Sequence, residues 1–314
     1  LTATTEKNLS LVGPLLCLFA AINYTAANVC MRCLTTTDCD PILAVFGREF
    51  GTTLITIPCV LFFTIRRQPV IPKGRLFWEV VFAGLLLQLG GNLGCQWAMG
   101  IVGLAVNIPA FFGVTVVGAA ILGRIVLGET ISARSAFAVT VLIAALALLG
   151  IGAQQAAGNT ESQVAPIALP ILILAVLASG AGGGTSAVLA IALRDAMKQH
   201  VRPIAITLLV PMTGAITLGP YLLAHYGLET LLNTPWQQVM YMVGASSFNF
   251  LGFFSFVNGL KRTTVVYANV VSASQVAMAS MAGIVMFHEP PNVWLVLGIC
   301  LTIFGIFGFD RPDE

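Results

Sequence analysis

Long apolar stretches alternate with short polar breaks along the whole chain. Ten stretches have helix length, near 11–34, 41–64, 77–98, 101–127, 133–153, 166–192, 203–224, 236–257, 264–287 and 292–309. About 20 mostly apolar residues suffice to cross roughly 30 Å of hydrocarbon. None of the stretches shows the in–out alternation of a membrane barrel strand. The pattern predicts an all-α polytopic membrane protein with ten transmembrane helices, spans 1 to 10. The first stretch reads as span 1 and not as a cleavable leader, because it is long, has only Lys7 as a basic residue before it, and lacks a clear small-residue cleavage site.

The pattern repeats. Gly128-Glu129 ends the apolar run that follows Gly100, and His288-Glu289 ends the one that follows Gly259. The displacement is 159 residues for the glycines (100 and 259) and 160 for the glutamates (129 and 289). Each half then holds five spans. A duplicated unit with an odd number of spans must lie upside down relative to its copy, which is the architecture of many secondary transporters. The predicted division is a first five-helix repeat over 1–153, an external linker over 154–165 and a second five-helix repeat over 166–314. The linker is marked by Gln154, Gln155, Gly158, Asn159, Ser162 and Gln163, a long polar connection without Lys or Arg.

Composition excludes a soluble globule: 57% of residues are hydrophobic and 9% charged, where soluble domains carry about a quarter charged. The net charge of +2 is uninformative, but its distribution is not. With ten spans, every Lys and Arg except Arg32 and Arg48 falls on the side that holds both termini and the even-numbered connections. Basic residues concentrate on the cytoplasmic side, so both termini are expected in the cytoplasm and the protein in the inner (plasma) membrane. Seven cysteines are scattered. Cys30-x-x-Cys33 has metal or redox spacing, but it has no second pair and sits at the end of an apolar helix, so the thiols read as small core residues. A Cys33–Cys39 disulfide is left open.

Two runs carry a recognisable pattern, WAMGIVGLAVNIPAFFGVTVVGAAILGRIVLGETIS from Trp97 and FVNGLKRTTVVYANVVSASQVAMASMAGIVMFHEPPN from Phe256. Each is rich in small residues and ends in a glutamate before a further apolar helix, in the second case one with spaced glycines, Gly298 and Gly305. Together with the Asp40-Pro41 opening of span 2 and the following Arg48, they resemble the drug/metabolite transporter superfamily, specifically its EamA-type members. The resemblance implies a ten-helix carrier whose central cavity opens alternately to either side and moves small metabolites, amino acids or drugs, in most such bacterial proteins outward.

Polar side chains within the apolar runs are the functional candidates, because burying them in hydrocarbon is unfavourable without a partner. Gln88, Asn92 and Gln96 recur every fourth residue in span 3 and form one stripe. Asn107 shares a face with Phe111 and Thr115 in span 4, and Tyr24 with Asn28 in span 1. The second half offers Asn249 in span 8 with Tyr267 and Gln275 in span 9. These side chains serve either as solute ligands in an otherwise apolar cavity or as interhelical hydrogen-bonding contacts. Arg48 and Glu49 are the adjacent charge pair inside a span, about 12 Å below the surface at 1.5 Å per residue. Successive helical residues diverge by about 100°, so Arg48 is expected to face the cavity and bind an anionic group, and Glu49 to be the candidate for a proton-coupled step; a structural pair is the other reading. The expected substrate-binding set is therefore Tyr24, Asn28, Arg48, Gln88, Asn92, Gln96, Asn107, Asn249, Tyr267 and Gln275.

Glu129 and Glu289 are read as structural, accepting hydrogen bonds at the start of the next helix, where a carboxylate is favoured. The run Gly180 to Ser186 lacks the Gly-Lys-Ser/Thr of a phosphate loop and reads as a close-packing surface or a hinge.

The expected function is a secondary transporter, more specifically an exporter, working by alternating access. The expected partners are a small-molecule substrate, the lipid bilayer and a proton or counter-substrate, without nucleic acid, in a monomer or homodimer. No catalytic residues, metal or cofactor are assigned. A membrane-embedded lipid-modifying enzyme and a passive channel are the alternatives; His200, His225 and His288 lie near loops without the paired acidic motif an enzyme needs.

Overall fold

The computed structural model describes residues 2–66, 71–128, 169–287 and 293–307, with a few positions between 136 and 148. Most of span 5, the linker, Glu129 and Glu289 lie outside the described residues. Every regular element among them is helical: α1 (Thr2–Thr36), α2 (Pro41–Ile65), α3 (Arg75–Leu85), a π-helical turn (Leu86–Asn92), α4 (Leu93–Leu127), α5 (Leu169–Lys198), α6 (Pro203–Leu232), α7 (Trp236–Leu260), α8 (Val265–Ser272), α9 (Ser274–Phe287) and α10 (Val293–Phe307).

Among the described residues, eight helical stretches are long and apolar enough to cross a membrane, between Val12–Thr36 and Tyr267–Phe287. They coincide with predicted spans 1 to 4 and 6 to 9. α10 occupies the position of span 10 and is 15 residues long as described. Large apolar side chains point outward, Phe82 at 66% and Leu177 at 63% exposure, while Gln88 and Asn107 are buried at 1%. This reverses the arrangement of a water-soluble protein and suits a hydrocarbon solvent.

Local chemistry sets the helix ends. Asp40 caps α2, its carboxylate accepting from the Ile42 and Leu43 amides at 2.8 and 3.1 Å, with Pro41 preset for the first helical position. Arg202 precedes Pro203 at the start of α6, where the proline again takes the first helical position but the side chain makes no capping hydrogen bond. The break between spans 3 and 4, expected near Gly100, falls at Gly103, whose φ of 75° and ψ of 177° is an extended left-side conformation open to glycine and strained for other residues. Gly100 itself is helical.

Packing is dense where small residues line up. α5 lies against α4 through its glycine run: an added methyl group on Gly182 would meet Cys95 and Phe111, and on Gly183 would strike the Phe111 carbonyl. The run thus gives close approach of two backbones. α1 packs on α7, with Gly259 against Cys17 and Gly252 against Tyr24. α2 packs on α6, and the two helices touch at both ends. At one end the Tyr226 hydroxyl donates to Asp40 at 3.0 Å; at the other the Arg202 guanidinium lies 4.9 Å from the centre of the Phe63 ring. An arginine near the end of α1, Arg32, donates to the Met99 carbonyl at 2.8 Å, and one near the end of α5, Arg194, donates to the Leu260 carbonyl.

Candidate solute-binding cavity

A cavity of about 170 Å³ lies inside the bundle and is lined by residues from α1, α2, the π turn, α4, α5, α6, α7, α8 and α9. Tyr24, Asn28, Arg48, Glu49, Gln88, Asn92, Gln96, Asn107, Asn249 and Gln275 all line it. Tyr267 does not. It is half-buried among apolar side chains of two adjoining core clusters, so the structure separates it from the other candidates. Within α8, Tyr267 lies about 200° around the helix from Asn269 and about 140° from Ser272, the residues of this helix that line the cavity.

The polar groups divide by what they already hold. The Gln88 amide donates to the Val210 carbonyl at 3.3 Å and its oxygen accepts from Asn92 at 2.6 Å. Gln96 donates to the Met31 carbonyl at 3.1 Å. The span 3 stripe thus both lines the cavity and ties span 3 to α1 and α6, and it does so through the π turn, a distortion frequent at functional sites. Asn249 donates to Thr52 at 3.2 Å, and Asn107 accepts from the Ser179 hydroxyl. The Asn107 amide nitrogen is buried without a hydrogen-bond partner among the described residues, as is the Ser272 hydroxyl on the same cavity wall. No hydrogen bond joins the Asn28 or Gln275 side chain to another described residue, although both line the cavity.

Arg48 and Glu49 do not diverge as the 100° rule suggests. The long arginine side chain folds back, and its Nη2 and Nε lie 2.6 and 2.8 Å from the same carboxylate oxygen, Glu49 Oε1. Both are sequestered, with side-chain exposures of 13% and 3%. They are the charged residues of the cavity wall. The Glu49 side chain lies close to Gly214 of α6 and Gln88. Among the described residues no group of His, Cys, Asp and Glu is arranged to hold a metal ion.

Several lining residues escaped the sequence reading: Cys95, Met99, Phe112, Pro211 and Phe256. Three of them carried a usable signal, since Cys95 lies three residues beyond Asn92, Met99 three beyond Gln96 and Phe256 seven beyond Asn249, each on the same helix face as the candidate. At the end of the bundle where α1 meets α2, Cys33 and Cys39 are both free thiols. Burial and the neighbouring Asp40 push the Cys39 thiol up to about 12, which leaves it protonated and inert.

Residues 169–309 match the sequence model of the EamA-like transporter family, part of the drug/metabolite transporter superfamily. The second half of the chain is an EamA-like transporter domain. A solved structure, titled only as the crystal structure of a protein, covers 96% of this chain and 96% of its own at a TM-score of 0.65 and 16% sequence identity, a likeness of fold that extends beyond the EamA-like domain into the first half. Comparison with curated proteins finds no match. The EamA-like domain contributes Ser186, Val210, Asn249, Asn269 and Gln275 to the cavity, and the first half contributes the Arg48–Glu49 pair. A multi-pass membrane protein whose residues 169–309 match a transporter family thus carries a polar cavity lined by residues from both halves of its sequence.

Proposed function

We propose that this protein is a secondary carrier, working as an exporter, that moves a small polar or amphipathic solute by rocking two inverted five-helix halves about the cavity. The observation that carries the proposal is the cavity itself, with a buried ion pair and several amides contributed by helices from both halves. Membrane transporters of this design place the solute near the bilayer midplane at the interface of their repeats.

Inverted duplication over 1–153 and 166–314 is supported by contacts that recur at nearly one displacement. The residues that precede the first prolines of α2 and α6, Asp40 and Arg202, are 162 residues apart (40 and 202), and each touches an aromatic ring near the far end of the other's helix. Those rings, Phe63 and Tyr226, are 163 apart (63 and 226). The arginine-to-carbonyl bonds repeat the displacement, 162 between Arg32 and Arg194 and 161 between Met99 and Leu260. Each contact has its copy at the opposite end of the bundle. A pair of elements related by a twofold axis lying in the membrane plane behaves in this way.

Within the cavity, Tyr24, Asn28, Asn107, Asn249 and Gln275 orient the solute, Arg48 presents its guanidinium to an electron-rich group and Glu49 is the candidate proton carrier. Gln88, Asn92 and Gln96 hold the wall. Both termini are cytoplasmic in this reading, as the side preference of the basic residues requires, and a proton or counter-substrate drives transport.

The test has two stages. Purified protein is screened by thermal shift against amino acids, sugars, nucleosides and cationic drugs, since a ligand of the folded form raises the melting temperature by mass action. The compound that does so is then radiolabelled for counterflow in proteoliposomes. A carrier gives trans-stimulation by unlabelled solute inside. Uptake indifferent to internal solute identifies a channel instead and overturns the proposal.

A further inference from the structure

The Arg48–Glu49 pair holds more chemistry than mutual neutralisation. Both guanidinium bonds go to one carboxylate oxygen, Oε1. No hydrogen bond joins Arg48 Nη1 or Glu49 Oε2 to another described residue, and both residues line the cavity. One is a strong donor and the other a strong acceptor, and they belong to a pair with no net charge. The remaining polar groups of the wall, such as Asn28, Asn107 and Gln275, are neutral amides.

From this arrangement we infer that the pair is a specificity-determining element that admits solutes bearing no net charge, recognised through an acceptor and a donor set side by side, as in a primary amide or a ureido group. The solute's carbonyl oxygen accepts from Arg48 Nη1 while its N–H donates to Glu49 Oε2. An organic anion is drawn to Arg48 but meets the Glu49 carboxylate beside it. An organic cation meets the converse. Because a buried charge without its partner is strongly unfavourable, removing either member leaves the other seeking a counter-charge from the solute. Glu49 is in this sense the group that keeps anions out, and Arg48 the group that keeps cations out. The inference rests on the reading of the cavity as a solute site and adds to it the class of solute.

Three probes of one size separate the possibilities: benzamide, benzoate and benzylamine, neutral, anionic and cationic at neutral pH. Their affinities for the purified full-length protein are measured by thermal shift. The wild-type protein should bind benzamide at least about tenfold more tightly than either charged probe, the equivalent of one charge-assisted hydrogen bond. Glu49→Gln should reverse the order in favour of benzoate, and Arg48→Gln in favour of benzylamine. The double variant Arg48→Gln/Glu49→Gln contains no isolated buried charge and should keep the wild-type order, so it provides a folded comparison if a single variant fails to fold. Wild-type protein that binds benzoate or benzylamine as tightly as benzamide overturns the inference and leaves the carrier reading standing. Single variants that keep the wild-type order do the same. Absence of binding by all three probes to every variant overturns the inference, and a wild-type protein that also responds to no compound of the wider solute screen removes the carrier reading with it.

Discussion

At the scale of single residues, the cavity wall contains two kinds of amide that look alike in sequence. Gln96 is committed to the Met31 carbonyl, while Asn28, one turn below on the neighbouring helix α1, has no hydrogen bond to another described residue. Replacing each by leucine should separate packing from recognition. Gln96→Leu loses one buried hydrogen bond to a carbonyl inside α1, at about 0.5–1.5 kcal/mol of stability, and should lower the melting temperature with solute affinity largely kept. Asn28→Leu should leave the melting temperature within a few degrees and weaken solute binding. Both are read in one experiment, melting curves with and without the solute found by screening. A reversal of the two outcomes contradicts the division. Sequence spacing identified the stripe of Gln88, Asn92 and Gln96 and the positions of Asn28, Asn107 and Gln275, because polar atoms inside apolar runs stand out. It did not reveal which amides were already engaged, since their partners, the carbonyls of Val210 and Met31, are backbone atoms of distant segments that leave no mark in a side-chain pattern.

At the scale of elements, the helices follow hydropathy closely, and the departures occur where backbone geometry is irregular. The span 3 to span 4 break lies at Gly103 and not at Gly100. Both are glycines with similar surroundings in sequence, and only the three-dimensional packing decides which adopts the left-handed conformation. The π turn at Leu86–Asn92 and the division of span 9 at Ala273 were equally invisible to a regular helical period. Arg48 and Glu49 are instructive in the other direction: their Cα–Cβ directions diverge as the helix requires, but a flexible arginine closes the gap. The contacts between α2 and α6 have a mechanical consequence. If the halves rock, the Asp40–Tyr226 end and the Arg202–Phe63 end cannot both stay closed through a cycle. In a background without the seven native cysteines, Asp40→Cys together with Tyr226→Cys, bridged by a short bismaleimide, should abolish counterflow. Each single substitution treated with the same reagent should retain it. Full counterflow after complete bridging would show that this end does not open.

At the scale of the whole molecule, the proposal joins an outward-facing apolar surface, a polar interior and recurring contacts at opposite ends of the bundle into one device, two similar bundles whose shared wall is the cavity. Hydropathy made the all-helical, membrane-spanning character legible before any coordinates, and residues 169–309 match the EamA-like transporter family; the repeat suggested by the glutamate motifs is part of the proposal. The charge balance of the cavity was not legible, because it depends on how two adjacent side chains fold together. The account stands on access to the cavity from each side in turn. Its most direct test is a single cysteine at position 28, in the cysteine-free background, reconstituted into sealed vesicles and treated with a membrane-impermeant maleimide from one face or the other. The account predicts labelling from either face with no passage of the reagent into the vesicle lumen. Labelling from one face alone, or reagent crossing through the protein, would contradict it.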